Sequence, residues 1–190
     1  MLIRWWAMPP SASLRGRLRD ATAAAHARID SQVGDAVADV PGYAAFLRGM
    51  HGFVRHARQV LGDAEDLAAC ERALADDLVV LAHAPVDIDV DLGDGASREM
   101  ARLGWRYVIA GSSLGARVLL RRAEALGFTE THGASYLALH ARGDAWRTLL
   151  STLESLRLSP ADEACACEGA NDAFQCVEHC LDAGRSGLAA

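Results

Sequence analysis

The chain has 190 residues, 51% of them hydrophobic and 23% charged, enough to bury one substantial core; 17 Gly and 5 Pro exclude collagen-like, low-complexity and wholly disordered architectures. Its 19 basic residues are all arginine and face 25 acids, a net charge of −6 that argues against a nucleic-acid surface. No apolar run approaches the roughly 20 residues that span a bilayer, and five cysteines without an export signal point to a reducing, cytoplasmic setting rather than a disulfide framework.

Residues 1–12 read as a flexible tail, since the apolar patch around Leu2-Ile3 and Trp5-Trp6 is too short for a secretory signal. From the N-cap candidate Ser13, apolar positions Leu14, Leu18, Ala25 and Ile29 recur with helical period to about Gly34. Pro41 opens a second helix near residue 42, with Tyr43, Phe46, Leu47, Met50 and Val54 on one face and Gly62 as its stop. Asp63 is a cap candidate for a third helix running to about His83, followed by an acidic loop over 84–95. A long helix is expected from about Ser97 to Leu126, with Gly127 closing it, then shorter helices over 130–141 and 143–157. Ser159-Pro160 starts the last helix with Asp162 and Glu163 in its first turn, and Gly184 ends it ahead of a tail at 185–190. Nothing alternates like a strand, so the expected architecture is a single-domain, all-α helical bundle over 13–184.

Two segments carry chemistry. On the first helix His26 follows three alanines that leave space beside the imidazole, and at 100° per residue Arg19 and Arg15 fall within about 20° of it on the same stripe. Asp30, four residues on, is placed to accept the proton on the other ring nitrogen, the support that a metal-ligating His usually has. On the long helix Gly104, Gly111 and Gly115 fall on one side, each costing about 1 kcal/mol of helix stability relative to Ala. A face with so few side chains serves either close packing of another helix or a flat ligand lying beside Ser112 and Ser113. Taken together, a histidine and an opposed glycine floor suit a planar macrocycle whose iron takes the imidazole, with Arg19 and Tyr107 for its carboxylates.

The stretches Leu18-Arg-Asp-Ala-Thr-Ala-Ala-Ala-His26 and Tyr107-Val-Ile-Ala-Gly111-Ser-Ser-Leu-Gly115 resemble the proximal and distal helix signatures of the heme oxygenases, in particular the small bacterial ones. A weaker likeness runs through Gly133-Ala-Ser-Tyr136 and Gly143-Asp-Ala-Trp146-Arg-Thr-Leu-Leu150 to about Leu181. The resemblance implies the all-α heme oxygenase fold, with heme held between a proximal and a distal helix as both substrate and prosthetic group. It implies oxidative cleavage of heme to biliverdin, carbon monoxide and ferrous iron. It makes His26 the iron ligand, Arg19 and Tyr107 the partners of a heme propionate, and Gly111, Ser112 and Gly115 the distal wall. Ser113 falls at a distal water-network position, Arg147 at a further propionate contact, and His56 in a distal polar network. Oxygen and an external ferredoxin or flavoprotein reductase are the implied partners, with a phytochrome as one recipient of the biliverdin; no dinucleotide fingerprint supplies electrons from within the chain. No acid occurs from Tyr107 to Leu119, an absence shared with bacterial members of the Gly-Ser-x-Leu-Gly type, while Ala110 and Ala116 replace a Glu and a Gly common in that subgroup.

Two other function classes fit the same residues: a heme-holding or sensing protein that does not degrade its cofactor, and a helical interaction module whose glycines only pack. Cys165-x-Cys167 with Cys176-x-x-His179-Cys180 lacks the spacing of a familiar zinc module and reads as small residues in an alanine-rich helix. His51 and His56 are five apart, a poor helical pair for one metal. The acids Asp87, Asp89, Asp91 and Asp94 lack the Gly and terminal Glu of a calcium loop and read as a solvated segment.

Overall fold

The computed structural model describes residues 13–62, 64–92, 95 and 98–186. They form seven helices: α1 (Leu14–Ala36), α2 (Val40–Leu61), α3 (Glu65–Val80), α4 (Glu99–Ala125), α5 (Ser135–Arg142), α6 (Ala145–Ser155) and α7 (Pro160–Ser186). The expected tail at 1–12, the Asp63 cap, Asp94 and Ser97 lie outside the described residues. Arg185 and Ser186, expected in a C-terminal tail, instead close α7, because nothing after Gly184 breaks the helical pattern before that point.

The helix ends follow from their caps. Ser13 Oγ accepts from Gly16 N at 3.2 Å and Asp39 Oδ1 from Gly42 N at 2.7 Å, each satisfying an amide that the first turn leaves without a helical partner. At α7 Ser159 Oγ accepts from Asp162 N at 3.2 Å and donates to the Asp162 carboxylate at 2.7 Å, and Pro160 follows the cap where its missing N–H costs nothing. Gly62 stops α2 at φ 84° and Gly127 follows α4 at φ 95°, backbone conformations that side chains with a Cβ rarely adopt.

The last helix is the centre of the bundle: α1, α2 and α4 all pack on α7. Close approach makes this possible. A Cβ at Gly104 would overlap the Ala166 carbonyl and the Ala170 amide, and one at Gly169 would overlap the Ala101 backbone, so α4 and α7 cross backbone to backbone. Gly49 and Gly184 do the same for α2 and α7, where a Cβ on Gly49 would sit 2.8 Å from Leu181 Cα. Beside these crossings Trp105 is fully buried and stacks on Phe53 with ring centroids 6.0 Å apart.

On the far side of α4, α5 is held by a buried carboxylate. Asp77 of α3 accepts from Ser135 N (2.9 Å), Ser135 Oγ (2.8 Å) and Tyr136 N (2.9 Å), which places a negative charge at the positive end of α5. The 84–92 segment lies across α2, with Ile88 inserted beside Gly52. No helix among the described residues is long and apolar enough to cross a membrane.

Candidate functional site between α1 and α4

Helices α1 and α4 run side by side without packing extensively on one another. At one end the charges of Arg15 and Arg19 act on Tyr107; at the other Arg122 donates to the Gly34 carbonyl. At 1.5 Å per residue, these two tie points put His26 level with about residue 115 of α4. That register sets His26 at the height of the Gly111–Gly115 stretch, with a groove between the two helices.

The His26 side chain is 30% exposed, and its Nδ1 lies 3.1 Å from the Asp30 carboxylate. With Nδ1 engaged, the ring's lone pair falls on Nε2, the atom that would take a metal. Phe174 of α7 meets the ring edge to face at 5.9 Å and fixes its plane. Further toward the start of α1, the Arg19 guanidinium donates to Asp20 Oδ1 from Nε (3.0 Å) and Nη2 (2.8 Å).

On α4 the glycines separate into two environments. Gly104 is buried under α7, whereas a Cβ at Gly115 would meet nothing within 4 Å and one at Gly111 would meet only the Trp146 indole, at 3.5 Å. Leu114 and Val118 are exposed beside Gly115, so the open arc is apolar. Tyr107 is only 4% exposed and its hydroxyl has no partner among the described residues. Desolvation pushes that phenol up to about 12, a group that stays protonated and remains a donor. A buried donor without an acceptor, close to two guanidiniums, is suited to a carboxylate arriving from outside.

Ser112 Oγ donates to the Ile109 carbonyl at 2.8 Å and lies 2.8 Å from His140 Nε2. His140 stacks on Tyr136 at 5.6 Å, and burial holds its pKa down to about 4, so the ring is neutral and its Nε2–H can donate to Ser112. Three expected site residues are engaged elsewhere. Ser113 lies two residues and so about 200° around α4 from Gly111; it is buried and donates to the Ala110 carbonyl at 2.6 Å rather than facing the groove. Arg147 is 83% exposed and pairs with Asp144 at 3.0 Å; its neighbour Trp146 is the α6 residue that reaches α4, with its ring 5.6 Å from Tyr107. His56 spends its ring nitrogens on Gln59 (3.1 Å) and the Ile88 carbonyl (2.8 Å), which ties α2 to the 84–92 segment and not to α1 or α4.

Trp146, Phe174 and His140 escaped the sequence reading. Trp146 had a signal, an apolar stripe with Leu149 and Leu153 on α6; Phe174 and His140 had none beyond their helices. Surface clefts of about 340 and 270 Å³ lie elsewhere, and neither is lined by His26, Tyr107, Gly111 or Gly115. All five cysteines are free thiols, and no group of three or more His, Cys, Asp or Glu among the described residues is arranged to hold a metal.

Comparison with known proteins agrees with this geometry. A family model described as heme oxygenase matches residues 92–183, from just before α4 through most of α7. The chain also superposes on crystal structures of the NO- and CO-bound heme oxygenase from Neisseria meningitidis with a TM-score of 0.75 and 29% identity, over 93% of this chain and 94% of that one. The chain is similar to heme oxygenases in sequence from just before α4 through most of α7, and in fold over most of its length. Heme oxygenase PigA from Pseudomonas aeruginosa is 35% identical over 100 residues, 52% of this chain and 50% of that protein. The heme oxygenase from Xanthomonas campestris is 39% identical over 112 residues, 58% of this chain and 66% of that protein. The match thus spans half to just under two thirds of the length of these curated relatives. The family match covers the distal side of the groove, and the structural match extends the heme oxygenase likeness to most of the chain.

Proposed function

We propose that this chain is a heme oxygenase that cleaves heme to biliverdin, carbon monoxide and ferrous iron, using oxygen and electrons from an external ferredoxin or flavoprotein reductase. Residues 13–184 act as one domain, with α7 as the common support of α1, α2 and α4. The observation that carries the reading is the buried Tyr107 hydroxyl, without a partner among the described residues, at one end of a groove that has His26 on one wall and open glycines on the other. A heme satisfies all three at once: a propionate for Tyr107 and Arg19, iron for the imidazole, and a flat face for Gly111 and Gly115. When bound, heme supplies both the iron at which oxygen is reduced and the macrocycle that is oxidised.

The protein's contribution is placement. Asp30 and Phe174 hold the His26 ring, whose imidazole would take the iron. Gly111 and Gly115, where no side chain stands, would let a flat group lie against the α4 backbone. Ser112, with its proton committed to the Ile109 carbonyl, remains an acceptor at the rim. Trp146 covers the Tyr107 end and excludes water there. Biliverdin released from the groove would serve a phytochrome or mark the recovery of iron.

The test is a hemin titration of the purified protein followed by reduction under air with ascorbate or a reductase system, with His26→Ala alongside. A saturable Soret band that decays as a red-absorbing bilin grows, both lost in His26→Ala, is the expected result. A His26-dependent band that persists through reduction by both donors would instead indicate a heme-holding protein, and no saturable band would overturn the heme reading.

A further inference from the structure

Away from the groove, α2 carries a stripe of basic side chains at i, i+3, i+7 and i+10: Arg48, His51, Arg55 and Arg58. Arg58 is paired with Glu71 of α3, and Arg55 with Asp87 of the segment that crosses α2. Arg55, Arg58 and Glu71, with Gln59 and Gly62, line the cleft of about 340 Å³. A fourth guanidinium, Arg102 of α4, donates to the Val60 carbonyl at 2.6 Å beside the same end of the helix.

The inner part of the stripe is not compensated. Arg48 is 8% exposed, and no described residue accepts a hydrogen bond from it or pairs with its charge. His51, one turn on, is also 8% exposed, and its Nδ1 has no partner among the described residues. His51 feels the charges of Glu71 and Arg55, both of which line the cleft; His51 and Arg48 are not part of that lining but continue the same helix stripe inward from Arg55. The two nearby acids are already committed to Arg55 and Arg58, which leaves the Arg48 charge in surplus. A polar atom buried without a hydrogen-bond partner carries its full desolvation cost. Two such atoms, Arg48 Nε and His51 Nδ1, on successive turns of one helix are therefore unlike a solvated polar face.

We propose that Arg48 and His51 form the inner wall of a small oxyanion site on α2, with Arg55 at its mouth, that takes a phosphate or carboxylate group. The guanidinium supplies the charge and paired N–H donors, and the imidazole Nδ1 supplies a further donor when it carries the proton. Nothing in this site touches His26 or the α4 glycines, so it does not depend on heme being bound.

Thermal unfolding of the full chain in phosphate-free buffer tests this, with inorganic phosphate or acetate titrated against chloride at constant ionic strength. A saturable rise in Tm of about 3–5 °C at ten times the Kd is expected for at least one of the two anions, and which anion acts identifies the group recognised. Arg48→Met should weaken that response at least tenfold and, without anion, be as stable as the wild type or more so, because it removes a polar atom buried without a partner among the described residues. An equal response of wild type and Arg48→Met, or none to either anion, would overturn the site and leave water as the partner of Arg48. Should Arg48→Met not fold, the Arg48 Nε–H resonance of the wild-type protein gives the same decision: a saturable shift with phosphate or acetate supports the site, and a fixed resonance overturns it.

Discussion

Gly104 and Gly115 lie on the same helix and, at 100° per residue, within about 20° of the same azimuth, yet they do opposite things. At Gly104 the missing side chain lets α7 cross backbone to backbone. At Gly115, three turns on, nothing covers the helix. The difference is what covers each position: α7 crosses at Gly104 through Ala166 and Ala170, while no neighbour reaches Gly115. One repeated residue type thus fastens the bundle at one point and leaves a bare helix face at another.

The buried end should break first. Gly104→Ala places a methyl on backbone atoms that have no rotamer to escape through, so a loss of about 3 kcal/mol is expected in chemical denaturation, with or without heme. The open end has its own support in the His140–Ser112 contact. His140 titrates near 6.5 in the unfolded chain and near 4 in the fold, so the folded state binds fewer protons between those values. Its contribution is complete above about pH 6.5 and is lost as pH falls toward 4, by at most about 2–3 kcal/mol. Denaturation of wild type and His140→Gln across that window checks this, since the variant should lack the slope. Tyr107 lies between the two ends, and Tyr107→Phe should leave the heme-free protein as stable or slightly more so, while weakening hemin about fivefold through the lost hydrogen bond, worth about 1 kcal/mol. Loss of heme-free stability in that variant would mean the hydroxyl has a structural partner.

The fold was legible because its punctuation is local. Ser13, Pro41, Gly62, Gly127 and the Ser159-Pro160 pair place helix ends within a few residues of those observed, and caps need no tertiary information. His26, Tyr107, Gly111 and Gly115 were legible as a pattern of residue types. The role of Gly104 was not, since what covers a helix face depends on where its neighbour crosses. Ser113 was misplaced by azimuth alone: adjacent to Ser112 in sequence, it is turned to the buried side. Arg147 and Trp146 show the same one-residue sensitivity on α6, where the aromatic faces α4 and the charge faces water. His56 was placed toward the site only by the looser part of the resemblance, and the Ile88 carbonyl that occupies it comes from an irregular segment with no periodicity to read.

The most direct measurement is a hemin titration of Gly115→Leu beside the wild type, followed at the Soret band, with heme-free unfolding of both as control. Since a Cβ at Gly115 meets nothing and Leu favours a helix over Gly by about 0.8 kcal/mol, the heme-free variant should be at least as stable as the wild type. A heme face at this position requires that the same variant bind hemin at least tenfold more weakly. Unchanged hemin affinity in a folded Gly115→Leu protein would contradict the assignment of the α1–α4 groove as the heme site.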